Sequence, residues 1–359
     1  MEIKTTAISA NRLTARENVQ FLQEGDIIVP DNKPDIEKIL RTSGNVVIDS
    51  TNIADGRLNY RGHIALDCLY LSKGENKKLH TMSKDIEIND FIAISGIEEN
   101  MSPKLKCTIE NIDTGILNER KINYKISGNA FADVNEVVEI NAVSSIDDLS
   151  ENQQKLTTIK TTKNICSKTE KINIKEDVVI PPTKLPIDEI ISIEPTLLNT
   201  EAVPSQDSVK ISGDITASML YTSNESSVPE VFDIDIPFDG MIETEDVEPN
   251  MEINTDLTIT DFYYDVSEDE NGENRIVNLE FVINACIEAY ATQESEILED
   301  AYSVNNNITM ENETLCYDRE VCRNKSQCPV KDIVSIDSDC PAMLQIIKAV
   351  GTPYIDVIS

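Results

Sequence analysis

Along most of this chain, apolar residues alternate with polar ones at a period of two. The longest run places an apolar side chain at every second position of residues 277–289, and residues 105–109 and 122–126 repeat the pattern. Because side chains of a β-strand point alternately to the two faces of a sheet, this pattern predicts antiparallel sheets with one buried face. We therefore expect a mainly β fold of tandem, antiparallel, β-sandwich-like domains.

One stretch of the chain recurs. It reads D-I-I-V-P-D-N-K-P-D-I-E-K-I-L at residues 26–40 and D-V-V-I-P-P-T-K-L-P-I-D-E-I-I at residues 177–191, and it begins again as D-I-V-S-I-D-S-D-C-P-A-M-L-Q-I-I at residues 332–347. Each copy has an acid, a short run rich in β-branched residues, a proline-containing turn and a short apolar run. Internal repetition of this kind defines the building unit of the fold.

The apolar residues after each turn are spaced as they would be on a helix. They lie at positions i, i+3 and i+4 in every copy: Ile36, Ile39 and Leu40; Ile187, Ile190 and Ile191; and Met343, Ile346 and Ile347. This spacing predicts a short helix after each opening strand, one that seals the core. The repeated turn residues are Pro30, Lys33, Pro181 and Lys184. They could form a binding loop, but a turn that aims the helix onto the sheet is the interpretation we favour.

Copies one and two align without a gap, at an offset of 151, over residues 26–72 and 177–223. Ten positions hold the same residue in both copies. In copy one they are Asp26, Pro30, Lys33, Ile36, Ile39, Gly62, Ile64, Leu69, Tyr70 and Ser72. We therefore expect two units of one fold, with Gly62 and Gly213 at the same place in the same strand. The closing segments, residues 140–144 and 299–303, align at an offset of 159, so copy two contains eight additional residues.

A long hairpin in copy two accounts for the additional residues. Residues 263–266 and 276–279 are strand-like, and the acidic segment between them contains Asn271-Gly272, a pair common in tight hairpin turns because both residues tolerate positive φ. A calcium-binding loop is the alternative interpretation. Ser267 and Asn278 would then stand at its first and twelfth positions, where carboxylate ligands are needed. The hairpin tip is the better interpretation.

The register of the repeats predicts the domain organisation. We expect a first β domain at residues 1–150, a second at 151–310, and an incomplete third repeat at 311–359, with a cysteine-rich lead-in, an opening strand and a short helix. Those last 49 residues are too few to close the core of a unit roughly three times as long. Either the chain is part of a longer one, or this tail docks onto the second unit.

The charge of the chain decides which partners it can attract. It has 31 basic and 65 acidic residues and a formal net charge of −34. Nucleic acid and anionic membrane surfaces would be repelled, whereas a cationic protein surface would be attracted. No apolar run approaches the roughly 18 residues that cross a bilayer, and residues 1–6 do not resemble a secretory signal. We expect a protein that is made and folded in a cytoplasm, without membrane insertion.

The candidate metal-binding and redox residues are eight cysteines and two histidines. Four cysteines lie in strand-like segments, where we expect small buried side chains: Cys68, Cys107, Cys166 and Cys286. The other four are separated by five, five and eleven residues, which is not the spacing of a zinc knuckle: Cys316, Cys322, Cys328 and Cys340. We predict no metal and no cofactor. Whether these four thiols cross-link or stay reduced is left open.

The sequence contains few residues and no common motif that would support catalysis. A nucleophile-elbow motif, a phosphate-binding glycine loop and a zinc-protease helix motif are all absent. Of the two histidines, His63 and His80, the first aligns with Asp214, and we expect it at an exposed strand position. Carboxylate pairs carry little weight in a chain with 65 acids. We predict no catalytic, cofactor-binding or metal-binding residue and no enzyme activity.

The opening stretch D-I-I-V-P-D-N-K-P-D-I, the strand pattern after it, and the closing N-A-V-S or D-A-Y-S resemble the SPOCS domain of spore-coat morphogenetic proteins of the SipL type. The resemblance covers both full copies and the start of the third. It implies a non-enzymatic scaffold that is made in the mother-cell cytoplasm, recruited to the forespore surface and built into the spore coat. It also implies other coat morphogenetic proteins as partners.

In SipL-type proteins a C-terminal LysM module contacts the coat-basement ATPase. This chain contains no LysM-like stretch, and we expect such a module only past Ser359 in a longer parent chain. We predict a structural and interaction protein of the spore envelope, with self-assembly as a further expectation. The alternative is a ligand-binding module for a cell-wall glycan, which would need paired aromatic residues in a concave patch. The chain has no tryptophan, and its aromatic content is 5%.

Overall fold

The structure, a computed structural model, describes residues 2–74, 77–147, 149, 153–305, 307–311, 314, 316–317, 329–336, 343, 346 and 349. This part of the chain is mainly β, as predicted, and contains no α-helix. Its strands, in chain order, are β1 (Ile3–Ile28), β2 (Ile36–Ala54), β3 (Arg57–Ser72), β4 (Leu79–Ala93), β5 (Ser102–Asn118), β6 (Lys121–Ile146), β7 (Gln154–Val179), β8 (Glu189–Ser205), β9 (Ser208–Ser223), β10 (Ser226–Glu243), β11 (Glu252–Glu268) and β12 (Asn274–Ala301).

The described strands form four antiparallel sheets of three strands each. In the first half of the chain, β6 lies between β1 and β5, and β3 lies between β2 and β4. The second half repeats this order, with β12 between β7 and β11 and β9 between β8 and β10. We call β1–β6 the first domain and β7–β12 the second domain. The boundaries at residues 150 and 310 stay predictions, and the strands themselves run from Ile3 to Ile146 and from Gln154 to Ala301.

The two sheets of each domain enclose one apolar core. The middle strands supply its centre, with Leu66 on β3 and Ile126 on β6 in the first domain, and Ile215 on β9 and Phe281 on β12 in the second. All four side chains are fully buried. Alternate residues of these strands point inward while their neighbours point outward, which is the burial that the period of two predicts.

The two domains repeat each other at the glycines of their middle strands. Gly62 lies in β3 opposite Ile48 of β2, and Gly213 lies in β9 opposite Phe238 of β10. A Cβ atom on Gly62 would stand 2.1 Å from the carbonyl oxygen of Val47, so only glycine lets the two strands approach this closely. Both glycines therefore occupy the same strand, as the ungapped alignment predicts.

The predicted short helix after the opening strand is wrong in the first two copies. Ile36 begins strand β2, and Ile39 lies within it. The register with β3 shifts between Ile36 and Lys38 and again between Ile39 and Arg41. Each shift is a β-bulge, which adds one unpaired residue to its strand. The side chains after the bulge therefore point to the opposite face of the sheet from the one that strict alternation would give them. Two inward positions of a strand are therefore separated by three residues here, which is the spacing of one face of a helix.

The second domain has the same bulge between Ile190 and Ser192. Ile187, Ile190 and Ile191 are buried, and Ile36 is buried in the first domain. Leu40, which a helix would have turned toward the core, is 45% exposed. The apolar run does close the core, as predicted, but it does so as an irregular edge strand.

The predicted hairpin of copy two is confirmed, with β11 and β12 joined at residues 269–273. Gly272 has a φ of 76° and its amide donates to the carbonyl of Asp269 at 3.0 Å, whereas Asn271 does not adopt a positive φ. The Asp269 carboxylate accepts hydrogen bonds from the amides of Glu273 and Asn271, which lower its pKa. The Asp269 carboxylate therefore organises the turn.

The hairpin of copy two is five residues longer than the matching hairpin of copy one. The amides of Met101 and Met251 donate to the carbonyls of Glu98 and Glu248 and close matching turns, and these two methionines are 150 residues apart. Arg120 and Arg275, which lie within one residue of the start of the last strand of each domain, are 155 apart.

The offset then stays at 155 to the far ends of β6 and β12, where the amides of Asp147 and Tyr302 donate to the carbonyls of Glu2 and Gln153. The two strands pair with β1 and β7 in the same register. The predicted offset of 159 for the closing segments, and with it the count of eight additional residues, is therefore wrong.

The predicted third repeat lies largely outside the described residues. Residues 329–336 are described and belong to no strand, and Ile333 and Val334 are 88% and 90% exposed. The predicted third helix includes Ile347, which lies outside the described residues, so this repeat stays a prediction. Within the described part of the chain, no helix is long and apolar enough to cross a membrane.

Candidate functional site

The repeated motif forms a loop whose backbone is held from both sides. In the first domain the amide of Lys33 donates to the carbonyl of Pro30 at 2.9 Å, which closes a tight turn. The Tyr70 hydroxyl, reaching from β3, donates to the carbonyl of Pro34 at 3.0 Å. The Arg120 guanidinium donates to the carbonyls of Lys33 and Val29 at 2.7 and 3.0 Å. These contacts use backbone acceptors that a binding loop would offer to a ligand.

The second domain repeats this clamp. Tyr221 donates to the carbonyl of Leu185 at 3.0 Å, and Arg275 donates to the carbonyls of Lys184 and Pro181 at 2.8 and 3.2 Å. The two arginines were missed at the sequence level, because the hairpin insertion shifts them out of the 151-residue register. A basic residue at the start of the last strand of both copies was the available signal. The geometry supports the structural interpretation of the motif.

The lysines of the two motifs differ in their partners, and the difference leads to the contact between the domains. Lys184 pairs with Glu230 of its own domain at 2.9 Å. Lys33 instead reaches into the second domain and pairs with Glu189 at 2.6 Å. In the first domain the register position of Glu230 is occupied by His80, whose Nδ1 lies 3.1 Å from Glu189.

Four ion pairs join the domains among the described residues, and all have the same polarity. The cation comes from the first domain and the acid from the second in each: Lys33–Glu189, Arg41–Glu194, Lys78–Asp188 and Lys104–Glu288. Their shortest N–O distances are 2.6, 2.7, 3.5 and 2.6 Å. A single polarity over a whole interface gives electrostatic complementarity between its two sides.

Glu288 is the most buried acid in this contact, with 10% of its side chain exposed. Its carboxylate accepts from Lys104 of the first domain at 2.6 Å, from Asn254 at 3.2 Å and from the Tyr290 hydroxyl at 3.0 Å. Burial lowers the pKa of Lys104, but the hydrogen bond and charge of Glu288 outweigh burial, and the pKa lies above its usual value. A buried carboxylate needs such a partner, because an unpaired charge in a protein interior is costly.

Two-stranded ribbons complete the contact between the domains. Beyond the ends of β5 and β11, strands β1 and β6 continue as one ribbon and strands β7 and β12 as another. Strand β1 contacts β7 and β12, and β6 contacts the same two strands. Ile8 and Ala10 on one ribbon and Thr161 on the other are buried, and the Gln293 amide donates to the carbonyl of Ala7 at 3.4 Å.

Comparison with known proteins identifies the repeated unit. A family model described as SipL, SPOCS domain, matches residues 35–117 and again residues 186–267. Each half of the chain therefore contains one segment that matches the SPOCS domain. A search of curated proteins and a search of solved structures each found no match.

The matched segments cover only part of each folded SPOCS unit. They span β2–β5 in the first domain and β8–β11 in the second, and they leave out β1, β6, β7 and β12. Those four strands complete the second sheet of each sandwich and carry the ribbons. Most of the opening stretch on which the sequence resemblance rests also lies just before each match, and only its last residues fall within it.

The two histidines both belong to the first domain and lie at separate places in it. His63 faces outward from β3 in an open depression with Arg61, Asp85 and Glu87, and its Nδ1 is 3.7 Å from Asp49. His80 lies on β4 beside Tyr70, at the domain contact. The search for metal-binding groups of His, Cys, Asp and Glu found none within the described residues.

The described cysteines are free thiols with differing burial. Cys68 is fully buried, Cys107, Cys166 and Cys286 are half-buried, and Cys316 is exposed. Burial raises the pKa of Cys68 and of Cys107 to about 11, so these thiols stay protonated and unreactive at neutral pH. Cys322, Cys328 and Cys340 lie outside the described residues, and their redox or metal role stays open.

Proposed function

We propose that this chain is a non-enzymatic structural and interaction protein of the bacterial spore envelope, and that it acts as a scaffold for coat assembly. The observation that carries the proposal is the double match to the SPOCS domain of the SipL family. The chain would be made in the mother-cell cytoplasm and recruited to the forespore surface.

The contacts of the repeated motif favour a scaffold over a ligand-binding module. Tyr70 and Arg120, with their counterparts Tyr221 and Arg275, bind the loop backbone within each domain. The side chain of Lys33 is used to hold the second domain. A motif engaged in this way maintains the shape of a domain and the position of its neighbour, which is the work of a scaffold.

The charge distribution indicates what kind of partner would bind. The first domain is nearly balanced, with 17 basic and 21 acidic residues over residues 3–146. The second domain has nine basic and 32 acidic residues over residues 154–301. Six of those nine lie on the edge strand β7, so the sheet of β8, β9 and β10 has Lys210 as its basic residue. A basic surface of another coat morphogenetic protein would be attracted to the second domain.

Glycan binding remains the alternative, and the aromatic residues argue against it. Tyr263 and Tyr264 are adjacent and 60% and 48% exposed. They are neighbours on one strand, opposite Glu280 and Leu279, so their side chains point to opposite faces of the sheet and do not form a pair. The open depression around His63 is lined by polar and charged residues with Ile88 and has no aromatic residue in its lining.

Localisation during sporulation tests the proposal. A fluorescent fusion expressed from its own promoter should form a shell around the forespore, and deletion of the gene should leave spores with a detached or incomplete coat. A matched fusion lacking residues 154–301 should localise poorly if the acidic domain binds the partner. Diffuse mother-cell fluorescence of the full-length fusion, together with normal coats in the deletion strain, would overturn the scaffold proposal. Retention of purified protein on isolated peptidoglycan would instead support the glycan alternative.

A further inference from the structure

The contact between the two domains has the layout of a symmetric pair. Strand β1 contacts its counterpart β7, and β6 contacts its counterpart β12. The crossed contacts, β1 with β12 and β6 with β7, are also present. In a twofold pair the same surface patch is used on both sides, and like elements meet like elements. The two ribbons therefore meet through equivalent faces, related by an approximate twofold axis, and β4 adds a contact with β8 at one side.

The charged residues on these equivalent faces differ between the two domains. Arg41 follows the bulge of β2, and the residue in its place on β8 is Ser192. Lys104 lies opposite Asp133 in the first domain, and in the second domain the same pair of positions holds Asn254 and Glu288. Arg41 and Lys104 of the first domain therefore stand where the second domain has neutral residues, whereas the counterpart of Lys33 is Lys184. The second domain has acids that the first lacks or neutralises.

The same comparison shows why neither face suits a copy of itself. Glu189 occupies the position of Lys38 in the first domain, so a pair of two first domains would set Lys33 against a lysine. Asp133 in the first domain is already held by Arg16 through two hydrogen bonds, at 2.7 and 2.8 Å. A pair of two second domains would offer Asn254 to the buried Glu288, where the present contact supplies an ammonium group.

We propose that the face built around Lys104 and Glu288 is a heterotypic docking surface, on which charge makes the first domain recognise the second domain and not another copy of itself. Glu288 is the anchor, because its burial makes the cation from the first domain necessary. Glu189 and Glu194 are more exposed than Glu288, and their pairs with Lys33 and Arg41 fix the orientation of the two faces. The proposal stands whether or not the chain belongs to a spore envelope.

The test uses the full chain, with a protease site inserted in the connection at residues 147–153. After cleavage, the two halves of the wild-type protein should co-elute in size-exclusion chromatography at about 0.1 M salt. They should separate at about 1 M salt, where the Debye length falls to about 3 Å. Lys104→Met should weaken the association roughly tenfold or more, because it leaves Glu288 buried without its cation. Lys106→Met, two residues further along the same strand, is the matched control.

A charge reversal makes the test specific. Arg41→Glu and Glu194→Arg should each weaken the association of the cleaved halves, and the double variant should restore most of it. Restoration, with the Lys106→Met control unchanged, supports a charge-coded surface. Halves that separate at every salt concentration would overturn the proposal. So would halves that stay together equally at both salt concentrations in all variants, or a double variant no better than the single ones.

Discussion

At the scale of single residues, buried tyrosines connect the strand pattern to the repeated motif. Tyr70 and Tyr221 are fully buried on β3 and β9, and each hydroxyl reaches the loop that follows the opening strand. Burial raises the pKa of Tyr70 to about 12, with a smaller contribution from the negative charge of Glu189. Burial also raises the pKa of Tyr60 to about 12. These hydroxyls remain protonated donors at any physiological pH.

These pKa values predict the alkaline limit of stability. An unfolded tyrosine ionises near pH 10, whereas folded Tyr60 and Tyr70 do so near 12. Below pH 10 both states are protonated and the stabilisation is complete. Between about pH 10 and 12 only the unfolded state loses its protons, so stability falls as the pH rises. Absorbance at 295 nm, in a chain without tryptophan, should show exposed tyrosines titrating first and a late group accompanying unfolding.

The variant Tyr70→Phe should remove one tyrosine from that late group. It should also destabilise the first domain by about 1 kcal/mol, because the hydrogen bond to Pro34 is lost. Tyr263→Phe, at a 60% exposed site, is the control. It should change neither the number of tyrosines in the late group nor the stability of the protein. An unchanged late phase in Tyr70→Phe would contradict the assignment.

The middle-strand glycines give a second prediction at this scale. A Cβ atom on Gly62 would meet the backbone oxygen of Val47 at 2.1 Å, which cannot move without shifting strand β2. A Cβ atom on Gly213 would first meet the ring of Phe238 at 2.9 Å, which can turn aside. Gly62→Ala should therefore destabilise its domain by about 2 kcal/mol or more, and Gly213→Ala by less. Urea unfolding followed by circular dichroism compares them, and equal effects would contradict the close approach at Gly62.

At the scale of elements, a bulged edge strand does the work that the apolar spacing assigned to a helix. Strands β2 and β8 begin directly after the clamped loop, where the amides of Ile36 and Ile187 donate to the carbonyls of Glu119 and Asn274. The bulges near Ile39 and Ile190 let apolar side chains enter the core at irregular intervals. Bulges are common at sheet edges, where they bend a strand and discourage pairing with another chain.

Alanine substitutions separate the strand from the helix. Ile36→Ala removes a fully buried side chain and should destabilise the first domain by about 2–5 kcal/mol. Leu40→Ala removes a side chain that is 45% exposed at a bulge and should change stability by less than about 0.5 kcal/mol. A helix would bury both residues on one face, so a large effect of Leu40→Ala in urea melts would contradict the strand.

At the scale of the whole molecule, the folded unit is larger than the segment that the family model matches. The match at residues 35–117 contains β2–β5 but not β6, the strand that lies between β1 and β5. Without β6, strand β5 has no neighbour in its sheet, and half of the core is exposed. The four long strands outside the matched segments, β1, β6, β7 and β12, also carry the ribbons and Glu288, and thereby the contact between domains.

A comparison of fragments tests this conclusion. Residues 35–117 alone should be unfolded, because the inner face of the sheet formed by β2, β3 and β4 has no partner sheet. Residues 2–147 should fold with a cooperative urea transition, since they contain both sheets of the first domain. Circular dichroism and the dispersion of amide NMR signals distinguish the two outcomes. A folded 35–117 fragment would show that β1 and β6 are dispensable.

The sequence by itself determined the features of this protein that depend on neighbouring residues. The period of two is enough to predict antiparallel strands, the 151-residue register places Gly62 and Gly213 in the same strand, and Asn271-Gly272 marks a hairpin. The tertiary structure alone decided features that depend on distant residues. Whether Ile36 and Ile39 lie on a helix or a bulged strand depends on pairing with β3. The partnership of Lys104 and Glu288 depends on two domains meeting across 184 residues of chain. The sequence pattern shows which face of a strand is apolar. Packing decides which strand or domain lies opposite that face.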